Sequence, residues 1–136
     1  MLNRGLFTSL SPNYATPKGL YEQLDAEFHF NDDPCPLEAE PFFEPTSGLE
    51  REWGTSTFCN PPYGHKIGAW ISKGYTESKK DKIIVFLIPS RTDTDWWHRF
   101  IMKASEIRFI RGRLSFSDKG PAPFPSAVVV FRGEGE

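Results

Sequence analysis

Residues 57–64 read Thr-Phe-Cys-Asn-Pro-Pro-Tyr-Gly, an amide and two prolines set between a strand-like run and an aromatic. Each proline holds φ near −65° and lacks an N–H, so the corner after Asn60 is stiff and poor in donors. What remains are acceptors, the Asn60 side-chain oxygen and the Pro61 carbonyl, which suit a ligand bearing an NH2 group. An amine on an aromatic ring is a weak nucleophile because its lone pair is delocalised. Two acceptors that grip both N–H bonds favour the pyramidal nitrogen that develops during attack, so the gain falls mainly in the transition state. Tyr63 would offer a flat face on which a base can stack, worth ~1–3 kcal/mol, and Gly64 lets the chain turn close beside it. Asn60, Pro61, Pro62 and Tyr63 are thus candidates to orient an amine toward an electrophilic methyl. A plain turn is the alternative at this point.

These residues need elements to hold them. Ser56–Cys59 reads as a short buried strand running into the corner. Thr16 and Pro17 resemble the start of a helix over 16–28, with Thr16 as cap and Pro17 at the first helical position. Residues 29–32 form a short strand candidate stopped by the turn Asp33-Pro34-Cys35-Pro36. Residues 36–55 read as irregular, with room for one helical turn. Ile67, Trp70, Ile71 and Tyr75 recur at helical spacing, and Lys82–Pro89 is an apolar, β-branched run that fits a central parallel strand covered on both faces. Thr94 caps a further helix with Trp97, Phe100, Ile101 and Ala104 on one face. Two strand-like runs follow, 106–116 and 125–132, across a turn-rich stretch. This order predicts an α/β fold, a mostly parallel sheet with an antiparallel element at its C-terminal edge. In such sheets ligands bind at the carboxyl ends of the strands, where the Asn60 corner lies.

The 136 residues allow one domain, 1–136, with a single core. The longest apolar run, 83–88, is too short to span a bilayer, so no membrane partner is expected. Two cysteines give no disulfide framework, and a cytoplasmic location is expected. Cys35 and Cys59 read as small buried hydrophobes, and His29, His65 and His98 lack metal spacing, so no metal is expected. The net charge of −2 hides a split: residues 1–59 hold three Lys/Arg against ten Asp/Glu, and residues 60–120 hold twelve against six. A basic face beside the corner would attract phosphates, although solvated helix faces give the same count. Arg91 directly follows the central strand and can meet a phosphate or a carboxylate, or else pair with Asp93 or Asp95. Arg111 and Arg113 are further candidates for DNA contact.

The motif Asn60-Pro61-Pro62-Tyr63, with "ATPKGLYEQLDAEFHFNDDPCP", "SGLEREWGTSTFCNPPYG", "LIPSRTDTDWWH", "EIRFIRGRLSF" and "APFPSAVVVF", resembles the phage-type DNA N6-adenine methyltransferase family over nearly the whole chain. The resemblance implies a Rossmann-like fold dependent on S-adenosylmethionine, acting on a flipped-out adenine of DNA in the cytoplasm of the host. It implies that residues 60–63 form the amine pocket. It also implies that Thr16 and Pro17 border the methionine part of the cofactor, and that Asp33, Pro34 and Cys35 form the turn where it rests. Asp33 capping its own turn is the structural alternative. The chain departs from the pattern in three places: it has no glycine-rich loop after the first strand, Ser47 stands where relatives carry an acid, and residues 36–55 leave little room for further strands. A minimal version of the fold is therefore expected. The same loop chemistry also serves protein glutamine or RNA adenine, and a non-catalytic S-adenosylmethionine- or DNA-binding domain is a further alternative. Pairing of two copies into a homodimer over the DNA site is left open by the sequence.

Overall fold

The computed structural model describes residues 16–36, 47–115 and 120–133. Expectations for residues 37–46 and for 116–119 lie outside the described residues. Helix α1 spans Lys18–Phe28, α2 spans Ile67–Ser78 and α3 spans Asp95–Arg99. The strands are β1 (Ser56–Cys59), β2 (Ile83–Pro89), β3 (Glu106–Phe109) and β4 (Ser126–Arg132), with short 3-10 turns at Ser47–Glu50 and Ile101–Lys103.

β2 forms where the sequence is apolar at every position, and six of its seven residues are buried. Each buried Ile, Val, Leu or Phe contributes about 1.5–3 kcal/mol, so this strand is the fold's main anchor. β1 pairs with it in parallel, Cys59 opposite Phe86. β4 pairs with it antiparallel along its full length, Ile83 opposite Arg132 and Pro89 opposite Ser126. β3 is antiparallel to β4. The order is β1-β2-β4-β3.

The sheet is therefore mixed, and the antiparallel strand is not its edge. β4 is buried from Ser126 to Phe131 and needs a partner on each side. β3 carries Glu106 and Arg108, and polar residues are what an edge strand tolerates. The strand expected at 29–32 shrinks to a single parallel bridge, Asp32 with Thr57. Hydrogen bonds from the Asn31 amide to the Ser56 carbonyl (2.8 Å) and from the Phe58 amide to the Asp32 carbonyl (3.0 Å) hold it beside β1.

Helices cover both faces, because side chains of a strand alternate. Phe86 and Phe131 face α2, where Tyr75 meets Phe131 at 5.8 Å. Gly74 is required there, since a Cβ would collide with the Phe86 ring. On the other face Tyr21 of α1 packs edge-on to Phe58 at 5.2 Å, and the Arg108 guanidinium lies 5.4 Å from the Phe28 ring. Arg108 also grips Glu27 of α1 through two hydrogen bonds of 2.7 and 2.6 Å. Thr94 caps α3 as expected, accepting from the Trp97 amide at 3.2 Å. Thr16 does not cap α1: the cap position is Pro17, with no side-chain hydrogen bond. Among the described residues no helix is long and apolar enough to cross a membrane.

Candidate active site at the carboxyl end of the sheet

The Asn60 corner follows the last residue of β1 and reaches the carboxyl end of β2. Its half-buried amide is held from two sides. Asn60 Nδ2 donates to Thr16 Oγ1 at 2.9 Å, which explains why the Thr16 hydroxyl is turned away from its own helix. Asn60 Oδ1 accepts from the Tyr63 hydroxyl at 2.8 Å. The same hydroxyl lies 3.1 Å from the Leu87 carbonyl in β2. A phenol has one proton, so Tyr63 serves one of these acceptors at a time and links the corner to the central strand.

The Tyr63 ring is only 7% exposed and meets Phe124 edge-on at 5.5 Å. The expected open stacking face is covered in this conformation. Pro61 is buried and Pro62 half-buried, which fits a rigid corner. Gly64 has a φ of 156°, so the turn beside Tyr63 uses backbone freedom that only glycine has readily.

The turn at 33–35 stands next to this corner, because the bridge between Asp32 and Thr57 aligns it with the end of β1. Asp33 Oδ1 accepts from the Cys35 amide at 3.1 Å, the side-chain turn foreseen as the structural alternative for Asp33. Pro34 is buried, and its carbonyl lies so close to Gly48 that a Cβ there would collide with it. Asp32 anchors the segment: Arg51 donates to both its oxygens at 2.8 and 2.9 Å, and the Gly54 amide adds a bond of 2.9 Å. Burial works against the Asp32 carboxylate, but Arg51 and the Gly54 amide outweigh it and hold its pKa below the usual carboxylate value.

The two thiols are protonated at neutral pH. Burial, helped by Asp33, pushes Cys35 up to about 12, and burial raises Cys59 well above its ordinary value. Neither is a nucleophile as placed. Among the described residues no group of His, Cys, Asp or Glu could hold a metal ion.

Arg91 is exposed just past β2, its guanidinium 5.7 Å from the Phe124 ring. Among the described residues it forms no ion pair with Asp93 or Asp95, and Asp95 meets Arg99 at 3.8 Å instead. Arg111 and Arg113 are exposed after β3, on either side of Gly112, whose φ of 76° turns the chain. Arg113 donates to the Ala122 carbonyl at 3.3 Å. Phe124 and the Leu87 carbonyl were not foreseen as part of this site. Phe124 has a signal, a lone aromatic between prolines just before β4, whereas a backbone acceptor has none.

Tyr63→Phe separates the two roles of Tyr63. It keeps the ring and removes the hydroxyl, so a stability loss of about 1–1.5 kcal/mol is expected, and turnover is expected to fall about tenfold as the Asn60 amide loses its brace. Steady-state kinetics beside thermal unfolding would check this, and unchanged turnover would leave the ring alone as the contribution of Tyr63.

No curated protein matches the chain. A family model described as DNA N-6-adenine-methyltransferase (Dam) matches residues 7–126.

Proposed function

Because the chain belongs to the DNA N-6-adenine-methyltransferase (Dam) family, we propose that it transfers a methyl group from S-adenosylmethionine to N6 of adenine in DNA. The observation that supports this most is the linkage of Thr16, Asn60 and Tyr63 at the strand end beside the turn 33–35. In this reading Asn60 and the Pro61 carbonyl orient the amine, and Tyr63 braces the Asn60 amide. The adenine leaves the duplex, at a cost of roughly a few kcal/mol, because a paired base cannot bring its amine into a corner of this kind. Stacking on Tyr63 requires Phe124 to yield, so the segment before β4 gates the base. No carboxylate base is needed: the methylated nitrogen is strongly acidic, and its proton passes to water.

The residues fit the cofactor. S-adenosylmethionine carries positive charge at sulfur and at its α-amine, and the turn brings Asp33 to the end of β1. Cys35 and Cys59, both held as thiols, do not compete for the methyl. Thr16, Pro17, Asp33, Pro34 and Cys35 would hold the cofactor, which supplies the electrophilic carbon when bound. Arg91, Arg111 and Arg113 would meet DNA phosphates, with a bond energy that salt weakens. The proposal extends to one Rossmann-like domain over residues 1–136, with β4 as the reversed strand, working in the cytoplasm.

Labelled-methyl transfer to DNA, RNA and peptide, run side by side and followed by digestion of the DNA to nucleosides, tests the reading. Label in N6-methyladenine from DNA is expected. Label confined to RNA or peptide would replace the substrate, and no label in any of them would leave a binding domain.

A further inference from the structure

The opposite end of the sheet carries a second concentration of positive charge. Ile83 of β2 pairs with Arg132 of β4, and Glu106 of β3 pairs with Val130, so these residues share the end away from Asn60. A cavity of about 290 Å³ opens there, lined by Tyr75, Lys79, Lys103, Ser105 and Arg132 together with Ser78, Phe131 and Gly133. That volume lies near the lower end of the range for small-molecule sites, ~300–1,000 Å³, and favours a small anion over a whole cofactor.

The lining is rich in donors and holds no carboxylate. Lys79 Nζ lies 4.5 Å from the Tyr75 ring centre and Lys103 Nζ 5.4 Å from the same ring. Among the described residues neither lysine has an acidic partner within 4.0 Å, whereas the other ion pairs of this end are saturated. Glu106 is shared between Arg108 at 2.7 Å and Arg132 at 3.6 Å. Ser105 Oγ accepts from the Arg132 amide at 3.0 Å, which leaves its proton to donate. Both lysines are exposed, so water screens their mutual repulsion, and an anion lying between them would lower it further. Hydrogen bonding from Lys79, with Lys103 adding, also holds the Tyr75 hydroxyl below its usual pKa.

We propose that this cavity binds a phosphate-class anion, free phosphate or the phosphoryl end of a small molecule, at a site separate from the Asn60 corner. Lys79 and Lys103 supply the charge, and Ser105 and Tyr75 supply neutral donors. Asn60 follows Cys59, which pairs with Phe86, whereas the cavity lies at Arg132, which pairs with Ile83, so more than ~10 Å of strand separates the two sites, and a small anion here does not touch an amine held at Asn60. The inference does not depend on what the corner methylates.

Titration calorimetry of the full chain with inorganic phosphate and with pyrophosphate, at low ionic strength, tests it. One saturable site is expected, weakened at least tenfold in the variant carrying Lys79→Ala and Lys103→Ala. Bound phosphate should also move the ionisation of Tyr75, followed by phenolate absorbance against a Tyr75→Phe control, to higher pH, because the anion offsets the lysine charge. Methyl transfer in phosphate-free buffer should be unchanged by the two lysine substitutions. Absence of a saturable site, equal competition by chloride, or binding that survives the double substitution would overturn the proposal. Glu134 and Glu136 follow Gly133 in the sequence. Binding seen only after Glu134→Gln and Glu136→Gln would overturn it too, in favour of occupation by the chain's own acidic residues.

Discussion

Replacing Asn60 by Ala is expected to lower methyl transfer about 10²–10³-fold while the protein stays folded. That range is what removal of one preoriented polar group at a reacting centre typically costs. The amide joins three segments, Thr16 ahead of α1, Tyr63 in the corner and, through Tyr63, Leu87 in β2. Truncation removes the acceptor proposed to hold the amine and releases Thr16, but Tyr63 still reaches the Leu87 carbonyl. The stability loss is therefore limited to about one hydrogen bond, ~1 kcal/mol. Asn60→Asp keeps an acceptor at the Oδ1 position, adds a second oxygen and a negative charge, and loses the donor to Thr16, so it should retain more turnover than the alanine variant. Rates at saturating DNA and cofactor, beside urea unfolding, distinguish these outcomes. Turnover within threefold of the parent in Asn60→Ala would remove Asn60 from the chemistry and leave the corner a turn.

Such a prediction was open from the sequence because local chemistry leaves local marks. The corner is marked by two prolines, which no ordinary turn needs, and β2 by an apolar run stopped at Pro89. Thr94 announced the start of α3, although the helix ends at Arg99 and the rest of the expected stripe falls in the 3-10 turn and its flanks. Direction and order across the sheet left no such mark. β4 reads like any buried strand, and only the placement of its partners reverses it and sets it between β2 and β3. Thr16 misled for a related reason. A threonine before Pro17 looks like a cap, but Pro17 is itself extended, with ψ 135°, so the helix starts one residue later and the Thr16 hydroxyl serves Asn60, 44 positions away. Contacts at that separation, like those of Phe124 with Tyr63 and Arg91, become visible only once the strands are assembled.

The same holds for Glu77, whose role no periodicity announces and whose loss should be the most damaging to stability. It is 1% exposed, near the end of α2. Its carboxylate accepts from Lys73 at 2.8 Å, Lys80 at 3.1 Å, Lys82 at 2.7 Å and the Trp53 amide at 3.1 Å. Lys82 is itself 6% exposed, and it also donates to the Trp53 carbonyl and to Glu52. The cluster ties α2, the segment entering β1 and the start of β2 into one unit, and β1 in turn carries Asn60. Glu77→Gln leaves the buried Lys82 charge with the exposed Glu52, 3.1 Å away, as its remaining carboxylate partner among the described residues. Breaking a buried pair from one side costs about 3–5 kcal/mol, a large share of the ~5–15 kcal/mol that domains have in total. Replacing both partners, Glu77→Leu with Lys82→Met, should recover much of the loss, since no charge is then stranded. The pH dependence follows from the signs. Burial pushes the Glu77 pKa up, but its lysine and amide donors outweigh this and hold it well below the ordinary 4.5. Its contribution is complete above about pH 4.5 and is lost as the pH falls toward the folded value. For Lys82, burial lowers the pKa while Glu77 and Glu52 raise it, for a net rise above 10.5. That contribution is complete below about pH 10.5 and fades only above it. Urea unfolding at pH 7 and pH 3 should therefore show a steep acid loss in the parent and a shallower one in Glu77→Gln. Equal acid losses, or a difference below about 1 kcal/mol at pH 7, would mean that the cluster is held by packing rather than by charge.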